Sequence, residues 1–171
     1  FLAEGAMSKH LHAGRAAEAG VLAAELAARG FTGPAEILEG AKGFFVATCP
    51  DARPERVLAA PERPWQLRLT SLKPWPSCRH THPAVEAALE LSARVDPADV
   101  GRIDIETYRA ALALCDNAAP QSEYEAKFSL HHCVAAALTD GKVTLASFDG
   151  PARTRLAALA HKATGVADAD Y

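Results

Sequence analysis

One segment of the sequence, residues 73–83, combines two cations, a thiol and two imidazoles with three prolines. We call it the proline loop; it reads Lys73-Pro74-Trp75-Pro76-Ser77-Cys78-Arg79-His80-Thr81-His82-Pro83. It leads from a predicted strand into a predicted helix that begins near Thr81, so free backbone N–H groups and the positive end of the helix dipole should face it. Lys73 and Arg79 add full positive charges. The segment therefore predicts a binding site for a carboxylate or a phosphate.

A second segment, which we call the N-terminal cluster, has the same kinds of side chain and again precedes a predicted helix. It reads Ser8-Lys9-His10-Leu11-His12-Ala13-Gly14-Arg15. In both segments an arginine follows the lysine by six residues, and imidazoles lie between or beside them. Two cationic helix starts suggest that a polyanionic small molecule is held between them.

Each of these segments also contains a His-x-His pair, which raises the alternative of zinc binding. The pairs are His10 with His12 and His80 with His82. In an extended segment residues two apart point the same way, so either pair could chelate a metal. Neighbouring Lys and Arg side chains disfavour a dication, and we therefore expect no metal.

Single residues in the two segments have simpler alternatives. Lys9 and Lys73 can be ordinary solvated surface lysines, which is the usual state of a lysine. Cys78 lies near a helix start and beside Arg79, so its pKa can be lowered and its thiol reactive. The alternative for Cys78 is a buried, inert thiol.

Composition and charge exclude several classes of protein. With 171 residues, 49% of them apolar, the chain can bury a core of one domain with an appendage. The eighteen Lys and Arg residues are scattered among twenty-one acids, which argues against a nucleic-acid binder. The four cysteines show no paired spacing, which favours a reducing cytoplasm. No apolar run approaches the roughly 20 residues that span a bilayer, so no membrane partner is expected.

The first third of the chain is predicted to be helical. Residues 1–14 are predicted as loop, 15–29 as an Ala-rich helix that Gly30 ends, and 35–40 as a short helix. Four prolines at positions 50, 54, 61 and 64 mark the best candidate boundary. We therefore predict a helical segment over residues 1–60.

Residues 65–171 are predicted to form a second, α+β domain. Alternating apolar residues indicate strands, 3.6-residue periodicity indicates helices, and Ser122 with Glu125 forms a capping box. The predicted elements are strands over 65–73, 100–108 and 142–148, and helices over 81–94, 109–115, 122–140 and 151–162. The fold class is thus α+β, a small domain of about three strands with helices on one face.

The sequence also suggests that the chain is the middle of a longer protein. It opens at Phe1 with no initiator Met, and the N-terminal cluster follows within a few residues. The helix over 15–29 is so rich in alanine that it needs packing partners. A second copy of the chain is the simplest such partner, so we expect a homo-oligomer, most simply a dimer.

Several motifs, in order along the chain, resemble those of the MmgE/PrpD family, which includes 2-methylcitrate dehydratase, cis-aconitate decarboxylase and iminodisuccinate epimerase. The matching stretches are residues 5–17, which contain the N-terminal cluster, Gly30-Phe31-Thr32-Gly33, the proline loop, Glu125-Ala126-Lys127-Phe128-Ser129-Leu130 and Asp140-Gly141. The resemblance covers nearly all of the 171 residues.

The resemblance implies a two-domain architecture, with an all-helical domain and an inserted α+β lid. Residues 1 to about 60 would be helical domain and residues 65–171 the lid. It also implies an active site between the domains that acts on di- and tricarboxylates without a metal or an organic cofactor. At the position five residues after Lys73, where the decarboxylase has a histidine, this chain has Cys78, and the decarboxylase's lid tyrosine would fall near Leu114 or Cys115.

Roles for individual residues follow from the same resemblance. Lys9, His12 and Lys73 match motif positions and would bind a substrate carboxylate, stabilise developing enolate charge or exchange a proton. The substrate-binding residues predicted around them are Arg15, Cys78, Arg79, His80 and His82. We expect part of a lyase or isomerase that is inactive without its helical domain. The alternative is a non-catalytic, self-associating lid.

Overall fold

The computed structural model describes residues 7–58 and 65–168, and these divide into two compact units. The helical unit is His10–Leu72, and the α+β unit comprises, of the described residues, 7–9 together with 73–168. None of the helices in the described ranges is long and apolar enough to cross a membrane. The two units are described separately below.

The helical unit is dominated by helix α1, Ser8–Ala28, in which no residue is buried. Gly30 ends it with φ 86°, and the N–H groups of Gly30 and Phe31 bond back to the carbonyls of Ala27 and Leu26 at 3.0 Å. This glycine stop was predicted. The start was not, because residues 8–14 were predicted as loop and are helical, so the N-terminal cluster lies on the first two turns of α1.

The rest of the helical unit is short helices and turns. They are α2, Phe44–Thr48, α3, Glu55–Leu58, and a 3₁₀ turn at Gln66–Leu69. The predicted helix over residues 35–40 is a series of turns instead, in which Gly40 N–H bonds to the Glu36 carbonyl at 2.9 Å. The strand predicted over 65–73 is also wrong, since the 3₁₀ turn and an irregular segment occupy those residues.

The α+β unit contains five helices and two strands in its described part. They are α4 (His82–Ser92), β1 (Ile103–Thr107), α5 (Arg109–Cys115), α6 (Glu123–Ala126), α7 (Leu130–Asp140), α8 (Gly150–Ala160) and β2 (Ala163–Ala167). 3₁₀ turns lie at Arg79–Thr81, Pro97–Asp99 and Leu145–Phe148. Helices α4, α5 and α8 and strand β1 agree with the prediction to within a few residues.

Helix α7 is the centre of the core of this unit. Nine of its eleven residues are buried, and it packs against α4, α8 and β2. Alanines at 135–137 allow close approach to these neighbours, while Leu130 and Val134 fill the larger spaces. Its end at Gly141, which has φ 61°, was predicted from the Asp-Gly pair.

The helix predicted over 122–140 is interrupted before α7. The Ser122 cap forms, since its hydroxyl accepts from Glu125 N–H at 3.1 Å, but α6 ends after one turn. Ser129 then starts α7 as a second cap, accepting from His132 N–H at 3.0 Å. Two competing caps thus divide what the apolar spacing presents as a single helix.

The sheet consists of β1 and β2, which pair in parallel with Ile103 opposite Ala163 and Thr107 opposite Ala167. A Cβ at Gly165 in β2 would lie 2.4 Å from Leu112 Cδ2 and 3.1 Å from Asp116 Oδ1, so any other residue there would force these two side chains to shift. β2 was not predicted. The strand predicted over 142–148 is instead a 3₁₀ turn, closed by reciprocal side-chain bonds between Thr144 and Ser147 that replace ladder pairing.

The fold class predicted from the sequence, a mixed α+β domain, is confirmed. Within the described residues the sheet has two strands rather than about three.

Candidate functional site

The proline loop is held in one conformation by hydrogen bonds that are mostly buried. Ser77 Oγ and Thr81 Oγ1 lie 2.8 Å apart, and Thr81 Oγ1 also donates to the Cys78 carbonyl at 2.8 Å. Cys78 N–H bonds to the Lys127 carbonyl at 2.7 Å, which fastens the loop to the connection between α6 and α7. Ser77, Cys78 and Thr81 are all buried. The loop is therefore a fixed platform for the side chains it presents.

Two cations extend from this platform into solvent. Lys73 is exposed, and its Nζ donates to the carbonyl of Ser77 at 3.2 Å, so the ammonium lies against its own loop. Arg79 is exposed at the start of the 3₁₀ turn that leads into α4. An exposed ammonium and an exposed guanidinium on a fixed backbone can hold a carboxylate.

His80 forms a pair with Tyr108, a residue that the sequence analysis did not select. His80 Nδ1 and Tyr108 Oη lie 2.7 Å apart and the two rings meet edge to face, with centroids 5.5 Å apart. Both side chains are half-buried. Burial raises the pKa of the Tyr108 phenol, and the charge of Cys78 raises it further. A neutral phenol bonded to an imidazole can pass a proton in either direction.

Three buried cysteines belong to the core of the α+β unit. They are Cys78 in the proline loop, Cys115 at the end of α5 and Cys133 in α7. A hydrogen bond from the Cys115 thiol holds the pKa of Cys78 well below its usual range, against the opposing effect of burial, and His80 contributes in the same direction. The same bond raises the pKa of Cys115, and burial raises that of Cys133 to about 12. Of the three thiols, Cys78 is the one expected to ionise. It is also buried, as the alternative from the sequence expected, and Cys115 and His80 rather than Arg79 lower its pKa.

His82 is buried, as Cys78 is, whereas Arg79 is exposed and His80 half-buried. It is 6% exposed and packs edge to face against Trp75, with ring centroids 5.2 Å apart. Neither ring nitrogen makes a hydrogen bond of normal geometry, although the carbonyls of Ser77 and Trp75 lie near enough to raise its pKa slightly. Burial outweighs them and lowers the pKa, so His82 is neutral at physiological pH.

The N-terminal cluster differs from the loop because it is helical and exposed. Lys9 falls in the α+β unit, where its Nζ lies 5.1 Å from the centre of the Phe128 ring. His12 and Arg15 fall in the helical unit, and Arg15 pairs with Glu18. Lys9 and His12 are three residues apart on one side of α1. Lys9 and the residues of the proline loop therefore lie in the α+β unit, whereas His12 and Arg15 lie in the helical unit.

The helical conformation of the N-terminal cluster also bears on the alternative of zinc binding. Residues two apart on a helix are rotated by about 200°, so His10 and His12 point to opposite sides of α1 rather than to one ion. In the loop, His80 is bonded to Tyr108 and His82 is packed against Trp75. In the described part of the chain, no three His, Cys, Asp or Glu side chains come close enough to hold a metal ion.

Two comparisons with known proteins bear on identity. Residues 1–57 match the model of the MmgE/PrpD N-terminal domain, and residues 75–171 match that of the MmgE/PrpD C-terminal domain. A comparison with curated proteins gives no significant match. The family matches support a lyase or dehydratase type of function at the level of the family. The match over 75–171 spans more than half of the chain, and this chain therefore belongs to the MmgE/PrpD family.

Proposed function

We propose that this chain is part of a lyase or isomerase that acts on a di- or tricarboxylate by proton transfer next to a carboxylate. The observation that carries the proposal is the arrangement of the proline loop. It presents Lys73 and Arg79 to solvent on a backbone fixed by buried hydrogen bonds, beside the His80–Tyr108 pair. Cations and a proton-transfer pair on one platform suit a substrate that carries several negative charges.

The chemistry divides between charge binding and proton transfer. Lys73 and Arg79 bind carboxylates of the substrate and stabilise the negative charge that develops when a neighbouring C–H proton is removed. His80 accepts that proton, with Tyr108 as its hydrogen-bond partner. In a dehydration, the C–H electron pair forms the double bond, and the hydroxide leaves as water with the proton that His80 accepted. In an epimerisation, a proton returns to the opposite face of the same carbon.

Lys9 and His12 complete the proposed set. Lys9 adds a further cation for a carboxylate, and His12 adds a second imidazole for proton exchange. We also propose that turnover needs the helical domain of the family in addition to the residues of this chain, since the resemblance implies an active site between the two domains.

The test is turnover of a panel of di- and tricarboxylates by the full-length gene product, followed by the appearance or loss of a conjugated double bond. Lys73→Ala should lower kcat/KM at least about 100-fold, because it removes a charge from the developing enolate. Lys142→Ala is the matched control, since Lys142 is an exposed lysine elsewhere in the α+β unit, and it should leave turnover unchanged. Equal activity in the two variants would remove Lys73 from the site.

A second candidate function is self-association without catalysis. It is favoured by α1, whose apolar side chains Leu11, Val21 and Leu22 are 56% to 62% exposed. Sedimentation of the purified chain should then show a dimer that Leu22→Ser together with Val21→Ser dissociates. A monomer at every concentration tested would reject this candidate.

A further inference from the structure

A small pocket in the α+β unit carries positive charge that the proposed reaction does not use. It has a volume of about 130 Å³ and lies between the connection from α5 to α6, helix α7 and helix α8. Its polar lining consists of Gln121, His132, Arg153 and His161, and the remaining walls are alanine and proline. The space is several times what one water needs, and it suits an ion of a few heavy atoms.

The charge in this pocket is not neutralised by the protein. Arg153 is half-buried, and within residues 7–58 and 65–168 its guanidinium has no carboxylate partner and no hydrogen bond. The carboxylate of Asp149, four residues earlier, is already used as the cap of α8, where it accepts from Ala152 N–H at 2.8 Å. An unpaired guanidinium in a concave site is a strong donor set for an oxyanion.

Arg155, on the same helix, provides the contrast. It forms a two-pronged pair with Asp140, with both N···O distances at 2.9 Å, and does not line the pocket. The two arginines lie two residues apart on α8. Arg155 is paired with a carboxylate of the protein, whereas Arg153 has no carboxylate partner among the described residues.

The other walls of the pocket add donors and no competing charge. His132 is 2% exposed and its Nε2 donates to the Ser147 carbonyl at 2.7 Å, which fixes its tautomer. Burial and the nearby charges of Arg153 and Arg155 lower its pKa, so this ring stays neutral. Gln121 and His161 are exposed. Gln121 Nε2 already donates one hydrogen to the Ala119 carbonyl at 2.8 Å, which leaves its second hydrogen and a ring N–H of His161 to donate to a bound oxygen.

We propose that this pocket binds a small oxyanion, with Arg153 as the principal ligand and Gln121 and His161 as additional donors. Inorganic phosphate and a short carboxylate such as acetate share the required chemistry. The proposal does not depend on the proposed reaction, since none of its residues belongs to the proline loop or to the N-terminal cluster.

The test is titration of the ¹⁵N-labelled chain with inorganic phosphate, and separately with acetate, at constant ionic strength. Shifts of the backbone N–H signals of residues 118, 119, 121 and 153–161 should saturate with a dissociation constant below about 20 mM for at least one anion. Arg153→Gln should weaken this binding at least about tenfold, whereas Arg155→Gln should change it less than about twofold. Acetate binding alone would identify a carboxylate site, and phosphate binding alone a phosphate site.

A second variant tests the proposal even if Arg153→Gln does not fold. Ala157 lines the pocket on α8, so Ala157→Leu should fill it and abolish binding while Arg153 is retained. Its amide spectrum outside the pocket should match that of the wild type. The proposal would be overturned if neither anion binds below about 20 mM, or if Arg153→Gln and Arg155→Gln bind equally well.

Discussion

The proline loop and the N-terminal cluster contain the same kinds of residue with the same six-residue interval between lysine and arginine, yet they are built differently. The loop is fixed by buried hydrogen bonds among Ser77, Cys78 and Thr81. The cluster is the exposed start of α1, a helix without a buried residue. Residue types and spacing thus suggest the chemistry of a segment, whereas the burial of its residues decides whether the segment keeps a fixed geometry by itself.

The same contrast holds between helices α7 and α1. α7 has nine buried residues out of eleven, and α1 has none out of twenty-one. Leu130→Ala in α7 should therefore lower the free energy of unfolding by about 2–5 kcal/mol, because it leaves a cavity in the core. Leu22→Ala in α1 should change it by less than about 0.5 kcal/mol. Urea denaturation of both variants measures the difference, and equal losses would contradict the contrast.

A reactive thiol in the loop can be tested by its pH dependence. The lowered pKa of Cys78 means that its thiolate persists as the pH falls below 7 and disappears only when the pH passes through the lowered pKa. In a Cys49→Ser background, iodoacetamide labelling of Cys78 should slow less than about twofold between pH 8.5 and 6.5. A simple thiol with a pKa near 8.5 slows roughly 50-fold over that range. Mass spectrometry assigns the labelled site, and a steep loss of rate would show that Cys78 has an ordinary thiol pKa.

The hydrogen bonds that fix the loop should be measurable at Thr81. Thr81→Val removes the hydroxyl that joins Ser77 Oγ and the Cys78 carbonyl, and should cost about 1–3 kcal/mol of stability because it leaves buried polar groups without partners. His12→Ala, a change of an exposed residue in the N-terminal cluster, serves as the control and should cost less than about 0.5 kcal/mol. A Thr81→Val protein as stable as the control would mean that the loop is not held in this way.

The smallest effect is expected at the exposed ion pair of the N-terminal cluster. Arg15→Gln breaks the ion pair with Glu18, in which the Arg15 side chain is 66% exposed and the Glu18 side chain 62% exposed. Such pairs contribute about 0–1 kcal/mol, and less at high salt. Thermal unfolding at low and high salt should show a small loss that salt removes. A loss that salt leaves unchanged would indicate a packing role for Arg15.

Local signals in the sequence predicted the parts of the fold that local contacts determine. The glycine ends at Gly30 and Gly141, the Ser122 cap, helices α4 and α8 and strand β1 follow from residues near one another in the chain. Strand β2 was missed because Ala163-Thr164-Gly165-Val166-Ala167 lacks a clear apolar alternation, and its pairing partner lies about sixty residues away.

The candidate site shows the same limit. The proline loop stood out because its cations, thiol and imidazoles are consecutive. Tyr108 did not, because its pairing with His80 spans 28 residues and no motif surrounds it. The burial of His82 was likewise invisible in a sequence that places it beside polar residues.

Proton transfer next to a carboxylate at the proline loop can be measured by hydrogen exchange. The full-length gene product would be incubated with a tricarboxylate in deuterium oxide, and NMR would follow replacement of the C–H hydrogen next to a carboxylate. We expect exchange in the wild type and in Lys142→Ala, and exchange slowed at least about 100-fold in Lys73→Ala. Exchange at the wild-type rate in Lys73→Ala would contradict this expectation.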